Sequence, residues 1–172
     1  LEMIGPERLK ELEPHVFGIK ALWAPGTGIV DYKKVAAAYA SRFQEAGGDI
    51  FIGAEVKNIT KHSDGIAIET GGGVLKAKHL INGAGLHADR VAEMMVEKID
   101  VRIIPFRGEY FTLKPESRRL VNGLIYPVPD PRFPFLGVHY TRNIHGQVEA
   151  GPNAVMAFKR EGYRKSDIDL RD

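Results

Sequence analysis

The first half of the chain alternates between helical and extended patterns of hydrophobic residues. A proline and an acid near its start predict a short helix over residues 5–12, since both are favoured in the first helical turn. A longer helix is predicted from Asp31, a good N-cap residue, because apolar side chains recur at helical spacing as far as Ala46. The glycine pair Gly47–Gly48 is then expected to end this helix.

Extended segments follow the longer helix. A roughly two-residue apolar period and glycine-containing turns predict a set of hairpin strands at 55–60, 66–70 and around 74–76. Continuous apolar runs predict shorter extended segments at 19–23, 49–52 and 79–85. The run at 79–85 ends in glycines, and an amphipathic helix is expected after it, over 88–97.

Beyond residue 100 the pattern is one of short strands separated by turns rich in proline and glycine, which is typical of an antiparallel sheet. These strands are expected at 101–105, 109–113, 124–128, 135–141 and 147–149. The fold class is therefore α+β, with an α/β part over 1–100, an antiparallel-sheet domain over 101–165 and a tail at 166–172. Both ends look truncated, so we expect an internal piece of a longer protein.

Composition narrows the class of function. Hydrophobic residues make up 44% and charged residues 27% of the 172 residues, which is a normal balance for a folded chain. The net charge is only +2 and the basic residues are scattered, so we expect no nucleic-acid partner. There is no cysteine, and no ligand spacing favours a metal site. We expect a cytoplasmic protein, because no apolar run could span a membrane.

The first candidate site is the turn Gly83-Ala84-Gly85, which joins a predicted strand to a predicted helix. Glycines allow a ligand to approach the backbone closely, and unpaired N–H groups at a helix start can bind phosphate. The alternative is a tight turn that needs glycine only for its backbone angles.

The second candidate is the pair Arg107 and Tyr110, which follows an apolar segment. The planar guanidinium of an arginine can bind a carboxylate through two hydrogen bonds. The alternative is an arginine at a sheet edge that pairs with Glu109 or another surface acid.

The third candidate is His139, which lies in a predicted strand between Val138 and Tyr140. An imidazole can accept the proton of a substrate hydroxyl near neutral pH. The alternative is a histidine with only a structural place in the sheet. Sequence motifs of serine hydrolases, P-loop enzymes and zinc proteases are absent from the chain.

Several segments together resemble the glycine oxidase and D-amino-acid oxidase superfamily, and most closely the L-2-hydroxyglutarate oxidase or dehydrogenase family. They occur in the family's order over roughly residues 5–165. The segments are Gly28–Tyr32, Ile81–Arg90, Pro105–Tyr110, Ile125–Pro131, Leu136–Thr141, Gly151–Val155 and Arg160–Tyr163.

The resemblance implies an FAD enzyme that oxidises the C2 hydroxyl of L-2-hydroxyglutarate, or of a similar 2-hydroxy acid, to a keto group. His139 would be the base or orienting group, and Arg107 and Tyr110 would bind the substrate's carboxylates. The backbone of Val56 would meet the adenine. The turn from Gly83 through Ala84 to Gly85 would lie near the pyrophosphate and ribityl chain.

The chain also departs from the family pattern. The family's N-terminal Gly-x-Gly-x-x-Gly loop and its C-terminal glycine-rich segment have no counterpart here, so we expect an incomplete FAD-binding fold. We expect this chain alone to be inactive and to bind FAD poorly or not at all, and to associate with itself through exposed apolar surface. The full protein would use oxygen or a membrane quinone as electron acceptor, and a quinone would place it peripherally on the inner membrane.

Two other functions stay open on the residues alone. One is an FAD-dependent amino-acid or amine oxidase of the same superfamily, since it too needs carboxylate recognition and a flavin. The other is a binding module that keeps part of the fold without its chemistry.

Overall fold

The computed structural model describes residues 1–96, 98–132, 137–170 and 172. The chain forms two compact units that are interleaved along the sequence, and each is described by itself. Unit 1 comprises Leu1–Ser41 and Gly108–Val155, and unit 2 comprises Arg42–Arg107 and Met156–Asp172. Helices and antiparallel sheets together confirm the α+β class. The ranges expected for the domains, 1–100 and 101–165, stay a prediction.

Unit 1 begins with a small hairpin-like layer. Strands β1 (Glu2–Ile4) and β2 (Ala21–Trp23) pair antiparallel, and helix α1 (Pro6–Leu12) lies between them in the chain. The carboxylate of Glu13 accepts the backbone N–H groups of Asn122 and Gly123 at 2.9 and 2.6 Å. Because Glu13 directly follows α1, these bonds fix the end of α1 to the segment that precedes Ile125.

The long helix α2 (Tyr32–Glu45) confirms the predicted helix after Asp31. The Asp31 carboxylate accepts the backbone N–H of Lys33 at 3.0 Å, which is the bond expected of an N-cap side chain. The helix ends before Gly47, whose φ of +86° lies in the left-handed region that glycine adopts without strain.

The second sheet of unit 1 has the strand order β6-β8-β7, with β6 at Phe106–Thr112, β7 at His139–Arg142 and β8 at Val148–Met156. Strands β7 and β8 are antiparallel, as predicted for this half of the chain, and His139 faces Gly151 in their register. The strand predicted at 124–128 is reduced to one bridge, in which Ile125 and Tyr140 exchange two backbone hydrogen bonds of 2.9 Å.

Between β6 and that bridge, Pro115–Leu120 form a 3-10 helix that the hydrophobic pattern did not predict. It ends beside Val121, which with Ile4 and Val148 forms the buried apolar core of unit 1 among the described residues. The first two residues of the strand predicted at 135–141, Phe135 and Leu136, lie outside the described residues.

Unit 2 contains the predicted hairpins as a three-stranded antiparallel sheet. Its strands are β3 (Val56–His62), β4 (Gly65–Thr70) and β5 (Gly73–Ala77), in the order β3-β4-β5. Ile59, Ile68 and Leu75 lie side by side across the sheet, and Ile59 is buried. The three strands predicted from the alternation of apolar and polar residues are thus confirmed.

The strands predicted at 49–52, 79–85 and 101–105 are wrong, because none of these segments is a strand in the structure. Ile52 and Ile81 are 91% and 93% exposed. An apolar run becomes a strand only where a neighbouring strand pairs its backbone groups, and the pattern of a single chain does not reveal that neighbour.

Helix α3 (Ala88–Glu93) follows the glycine turn as predicted but ends before residue 97, which lies outside the described residues. No helix in the described part of the chain is long and apolar enough to cross a membrane.

Candidate functional site

In unit 1 the structure brings Tyr110 and His139 together across the sheet β6-β8-β7. Their ring centroids are 6.5 Å apart and the rings are nearly perpendicular, with an interplanar angle of 82°. Gly151 on the central strand lies opposite His139 in the register. Tyr110 and His139, which the sequence assigned separately to substrate binding and catalysis, therefore lie on the two sides of one glycine.

Position 151 accommodates only glycine, because the Tyr110 ring occupies the space that a side chain would need. A Cβ at Gly151 would lie 2.6 Å from Cδ1 of Tyr110 and 2.8 Å from the carbonyl oxygen of Glu109. Real Cβ atoms do not approach carbon or backbone oxygen this closely, so another residue would displace the ring or the strand. The glycine thus sets the position of Tyr110 beside His139.

His139 is buried, with 7% of its surface exposed, and its ring is held in one tautomer. Its Nδ1 lies 3.1 Å from the carbonyl oxygen of Gly137. A carbonyl oxygen only accepts hydrogen bonds, so Nδ1 carries the proton and donates it. In the neutral ring this leaves the lone pair on Nε2, and Nε2 is therefore the atom that can accept a proton.

Tyr126 completes this cluster and was missed as a site residue by sequence reasoning. Its ring stacks on the imidazole of His139, with centroids 4.3 Å apart and an interplanar angle of 20°. The bridge between Ile125 and Tyr140 brings the two segments side by side. Tyr126 lies within a segment that matched the family, but nothing in the sequence showed that it would pair with His139.

We call the surface formed by Tyr110, Tyr126, His139 and Gly151 the aromatic face. Tyr110 and Tyr126 are each about half exposed, at 50% and 51%, while His139 is buried. Two phenol hydroxyls and one imidazole can both donate and accept hydrogen bonds. Chemically, the face can orient a polar small molecule and take up one proton.

Arg107, the other residue predicted to bind substrate, belongs to unit 2. Its Nη1 donates to the carbonyl oxygens of Gly162 and Arg164 at 3.3 and 3.2 Å. These bonds give Arg107 a structural partner in its own unit, which is a third possibility beside the carboxylate and the surface acid considered from the sequence. Its role toward a substrate stays a prediction.

The glycine turn Gly83-Ala84-Gly85 also lies in unit 2, and its two glycines differ. Gly85 has φ of +54°, a left-handed conformation in which any other residue is strained. Gly83 has no such angle, and no described atom lies within 4 Å of a Cβ built on it. The backbone of the turn therefore explains glycine at position 85 but not at position 83.

Open space above Gly83 is what a ligand that approaches the backbone requires. Asn82 holds the turn on one side, since its Oδ1 accepts the Ala84 N–H at 3.1 Å and its Nδ2 donates to the Ala88 carbonyl at 2.7 Å. A flat or phosphorylated cofactor could approach the backbone of such a turn, because no atom of the described residues fills the place over Gly83.

Val56, the predicted adenine contact, is the first residue of β3 and pairs with Thr70. The register of β3 and β4 shifts between Val56 and Asn58. Such an irregularity disrupts the ladder of backbone hydrogen bonds locally. The contact with adenine itself stays a prediction.

Electrostatics in unit 2 are dominated by a buried ion pair between Asp89 and Arg160, each 8% exposed. Both guanidinium nitrogens Nη1 and Nη2 donate to the Asp89 carboxylate, the second at 2.8 Å. Hydrogen bonding from Arg160 holds the pKa of Asp89 well below its usual value, and Asp89 raises the pKa of Arg160. Both residues lie in segments that matched the family, but their pairing across 71 positions was invisible in the sequence.

Among the described residues, no group of three or more histidine, aspartate or glutamate side chains is arranged to hold a metal ion. The two clusters of interest are thus the aromatic face of unit 1 and the glycine turn of unit 2.

Comparison of the chain with known proteins shows the family to which it belongs. Residues 1–171 match the family model for DAO, an FAD dependent oxidoreductase. The chain belongs to this family. The solved structures of L-proline dehydrogenase from P. horikoshii and glycine oxidase from Geobacillus kaustophilus share its fold, with TM-scores of 0.61 and 0.64. They are 21% and 23% identical to this DAO-family chain, and it covers 41% and 40% of their lengths.

Three relatives with higher sequence identity than these two structures each carry the name L-2-hydroxyglutarate dehydrogenase. The L-2-hydroxyglutarate dehydrogenase of Indibacter alkaliphilus is 53% identical over 96% of this chain, which covers 42% of that relative. The protein of the same name from Escherichia coli strain K12 is 49% identical over 99% of the chain, and the mitochondrial one from Caenorhabditis elegans is 48% identical over all of it. The chain spans about 41% of the length of these last two relatives.

Proposed function

We propose that the full-length protein containing this chain is an FAD-dependent oxidoreductase that oxidises the C2 hydroxyl of L-2-hydroxyglutarate, or of a similar 2-hydroxy acid, to the 2-keto acid. The names of relatives 45–53% identical to the chain support the substrate. The observation that carries the chemistry is His139, whose Nδ1 is bonded to the Gly137 carbonyl, which leaves Nε2 as proton acceptor.

On the aromatic face, the substrate hydroxyl would give its proton to Nε2 of His139. The stack of Tyr126 on the imidazole fixes the plane of the ring, and the bond to Gly137 fixes its rotation. A base that is held in the reactive orientation loses little entropy when the substrate binds, which is one source of catalytic rate.

The carboxylates of a 2-hydroxy dicarboxylate need hydrogen-bond donors. We assign this role to the hydroxyl of Tyr110, which lies beside His139 in unit 1. Arg107 of unit 2 stays a separate proposal for binding a substrate carboxylate, and its guanidinium would share its N–H groups between that carboxylate and the carbonyls of Gly162 and Arg164. A guanidinium has five N–H donors, so such sharing satisfies both sets of acceptors.

FAD, when bound, supplies the acceptor for the hydride that leaves C2. The residues of this chain that would hold it are Gly83, Ala84 and Gly85 of the glycine turn and the backbone of Val56. The open place over Gly83 supports this assignment, since no described atom of the chain competes for it.

The experiment is an anaerobic titration of the purified full-length flavoprotein. Addition of L-2-hydroxyglutarate should bleach the flavin absorbance and yield one 2-keto acid per flavin reduced. The D enantiomer and simple amino acids such as glycine and proline serve as controls and should leave the colour unchanged. Bleaching by an amino acid alone would favour an amine oxidase, and a protein that takes up no FAD would favour a non-catalytic module.

The re-oxidation step decides between oxygen and a quinone as electron acceptor. We propose two alternatives of equal standing: a quinone, with the protein bound peripherally at the inner membrane, and oxygen, with the protein in the cytoplasm. An oxygen electrode separates them, because only an oxidase consumes oxygen when substrate is the sole addition. A quinone analogue that restores flavin colour without oxygen supports the first.

For the chain of 172 residues alone, we propose weak or no FAD binding and self-association. Large apolar side chains such as Tyr39, Phe51 and Ile52 are 71%, 61% and 91% exposed, which is typical of surfaces that bind another protein segment. Sedimentation at rising concentration should show a growing average mass. A single monomeric species throughout would contradict self-association.

A further inference from the structure

We propose that Arg160 is a positioning residue for the glycine turn, and that it prepares this turn for the cofactor by bonding Leu86 and Asp89. This inference rests on the proposed function, because it takes the turn to be a flavin contact. Arg160 bonds the residues directly after the turn, so its effect would pass through the backbone of the turn.

The contacts of Arg160 converge on the residues directly after the turn. Its Nη1 donates to the Leu86 carbonyl at 2.6 Å, and Leu86 is the residue that follows Gly85. The same guanidinium makes the two bonds to Asp89, near the start of α3. One planar side chain thus holds both the exit of the turn and the helix that follows it.

Asp89 extends this hold to a third segment of unit 2. Its Oδ2 accepts the backbone N–H of Ile103 at 3.0 Å, while Oδ1 accepts the N–H of Arg90 at 2.8 Å. All the bonds of the carboxylate are charge-assisted, and the group is shielded from water, so they are stronger than bonds between neutral groups. The pair therefore anchors the exit of the turn to two distant parts of the chain.

The segment that carries Arg160 makes further bonds of the same kind. Glu161 lies 3.4 Å from the imidazole of His87, and the carbonyls of Gly162 and Arg164 accept from Arg107. The segment 160–164 therefore connects the glycine turn with the start of β6. We call it the anchor segment.

The turn needs such anchors because glycine has more backbone freedom than any other residue. Gly83 has no described atom within 4 Å of its Cβ position, so side-chain packing does not order it. If a turn is disordered before binding, ordering it costs free energy when the ligand binds, and this cost lowers the affinity. Asn82 at the entry and Arg160 at the exit order it beforehand.

Arg160→Lys in the full-length protein tests this. A lysine ammonium is a single point and lacks the planar fork that reaches Leu86 and both Asp89 oxygens together. We expect the Kd for FAD to rise about tenfold, the equivalent of one bond to a charged group. At saturating FAD we also expect a shift in the visible spectrum or reduction potential of the bound flavin.

Arg8→Lys is the matched control, since Arg8 forms an exposed ion pair with Glu11 on α1, 2.6 Å long. It should change neither the Kd for FAD nor the flavin spectrum. If Arg160→Lys fails to fold, Asp89→Asn serves instead, because it keeps the shape of the side chain and removes its charge. The melting temperature of each apoprotein measures any purely structural effect.

The proposal is overturned if the folded variants bind FAD with wild-type affinity and wild-type spectrum while only their melting temperatures fall. In that case the ion pair stabilises unit 2 and does no more. A wild-type protein that takes up no FAD would overturn the proposed function and this inference together, whereas normal uptake in all variants overturns this inference alone.

Discussion

The aromatic face of unit 1 and the glycine turn of unit 2 are held in place by different physical means. The aromatic face depends on shape: the Tyr110 ring fills the space over Gly151, and Tyr126 stacks on His139. The glycine turn depends on charge and hydrogen bonds, from Arg160, Asp89 and Asn82. Changes in volume should therefore damage the first region, and changes in charge or pH should damage the second.

The largest effect should come from the atom that takes the proton. His139→Ala removes Nε2 from the aromatic face, and we expect turnover of the full-length enzyme to fall by at least about a hundredfold, as for loss of a general base. Steady-state kinetics with L-2-hydroxyglutarate measure it. His62→Ala, an exposed histidine at the end of β3, is the control. A fall smaller than about threefold would remove His139 from the mechanism.

The next largest effect tests shape in unit 1. Gly151→Ala places a Cβ 2.6 Å from the Tyr110 ring and 2.8 Å from a backbone oxygen, so the free energy of unfolding should fall by about 1–3 kcal/mol. Urea unfolding measures it. Gly26→Ala is the control, since no described atom lies within 4 Å of its Cβ position. Equal stability of the two variants would mean that Tyr110 is not held by Gly151.

A smaller effect should separate binding from turnover on the same face. Tyr110→Phe keeps the ring over Gly151 and removes only the hydroxyl, which costs about 1 kcal/mol if it donates to a substrate carboxylate. We expect KM to rise about fivefold with kcat nearly unchanged, since a binding contact is lost in ground and transition state alike. Tyr39→Phe on the exposed face of α2 is the control. An unchanged KM would exclude Tyr110 from substrate binding.

The smallest effect concerns the pH dependence of unit 2. Because bonding to Arg160 lowers the pKa of Asp89 in the folded state, the stability it contributes is present above about pH 4 and is lost as the pH falls through the folded-state value. Asp89→Asn should therefore flatten the decline of stability with falling pH. Urea unfolding at neutral and acid pH measures the slopes. Parallel slopes in wild type and variant would contradict the low pKa of Asp89.

The sequence predicted the parts of each region that depend on local pattern. The cap at Asp31, the hairpins of β3, β4 and β5 and the turn at Gly85 all follow from residues close together in the chain. The stack of Tyr126 on His139 and the pair of Asp89 with Arg160 depend on which distant segments meet. A single sequence carries no signal for that meeting, so it places Tyr126 and Arg160 in segments that resemble the family but does not identify their partners.

The same reason explains the strands that failed. The runs at 49–52 and 79–85 were predicted as strands from their apolar residues, yet Ile52 and Ile81 are exposed and lie outside any strand in the described chain. An apolar side chain is buried only where another segment of the protein packs against it. Where a neighbouring strand is present, as β4 is beside Ile59 of β3, the strand predicted from the pattern is confirmed.

The most direct test of this division of tasks is a titration of the full-length apoprotein with FAD, in wild type, Gly83→Val and His139→Ala. Position 83 has free space and no left-handed backbone angle, so valine should leave the apoprotein folded and weaken FAD binding at least tenfold, about 1.4 kcal/mol. His139→Ala should bind FAD as wild type does. Wild-type affinity in Gly83→Val, or lost affinity in His139→Ala, would show that cofactor and substrate chemistry are not divided between the glycine turn and the aromatic face.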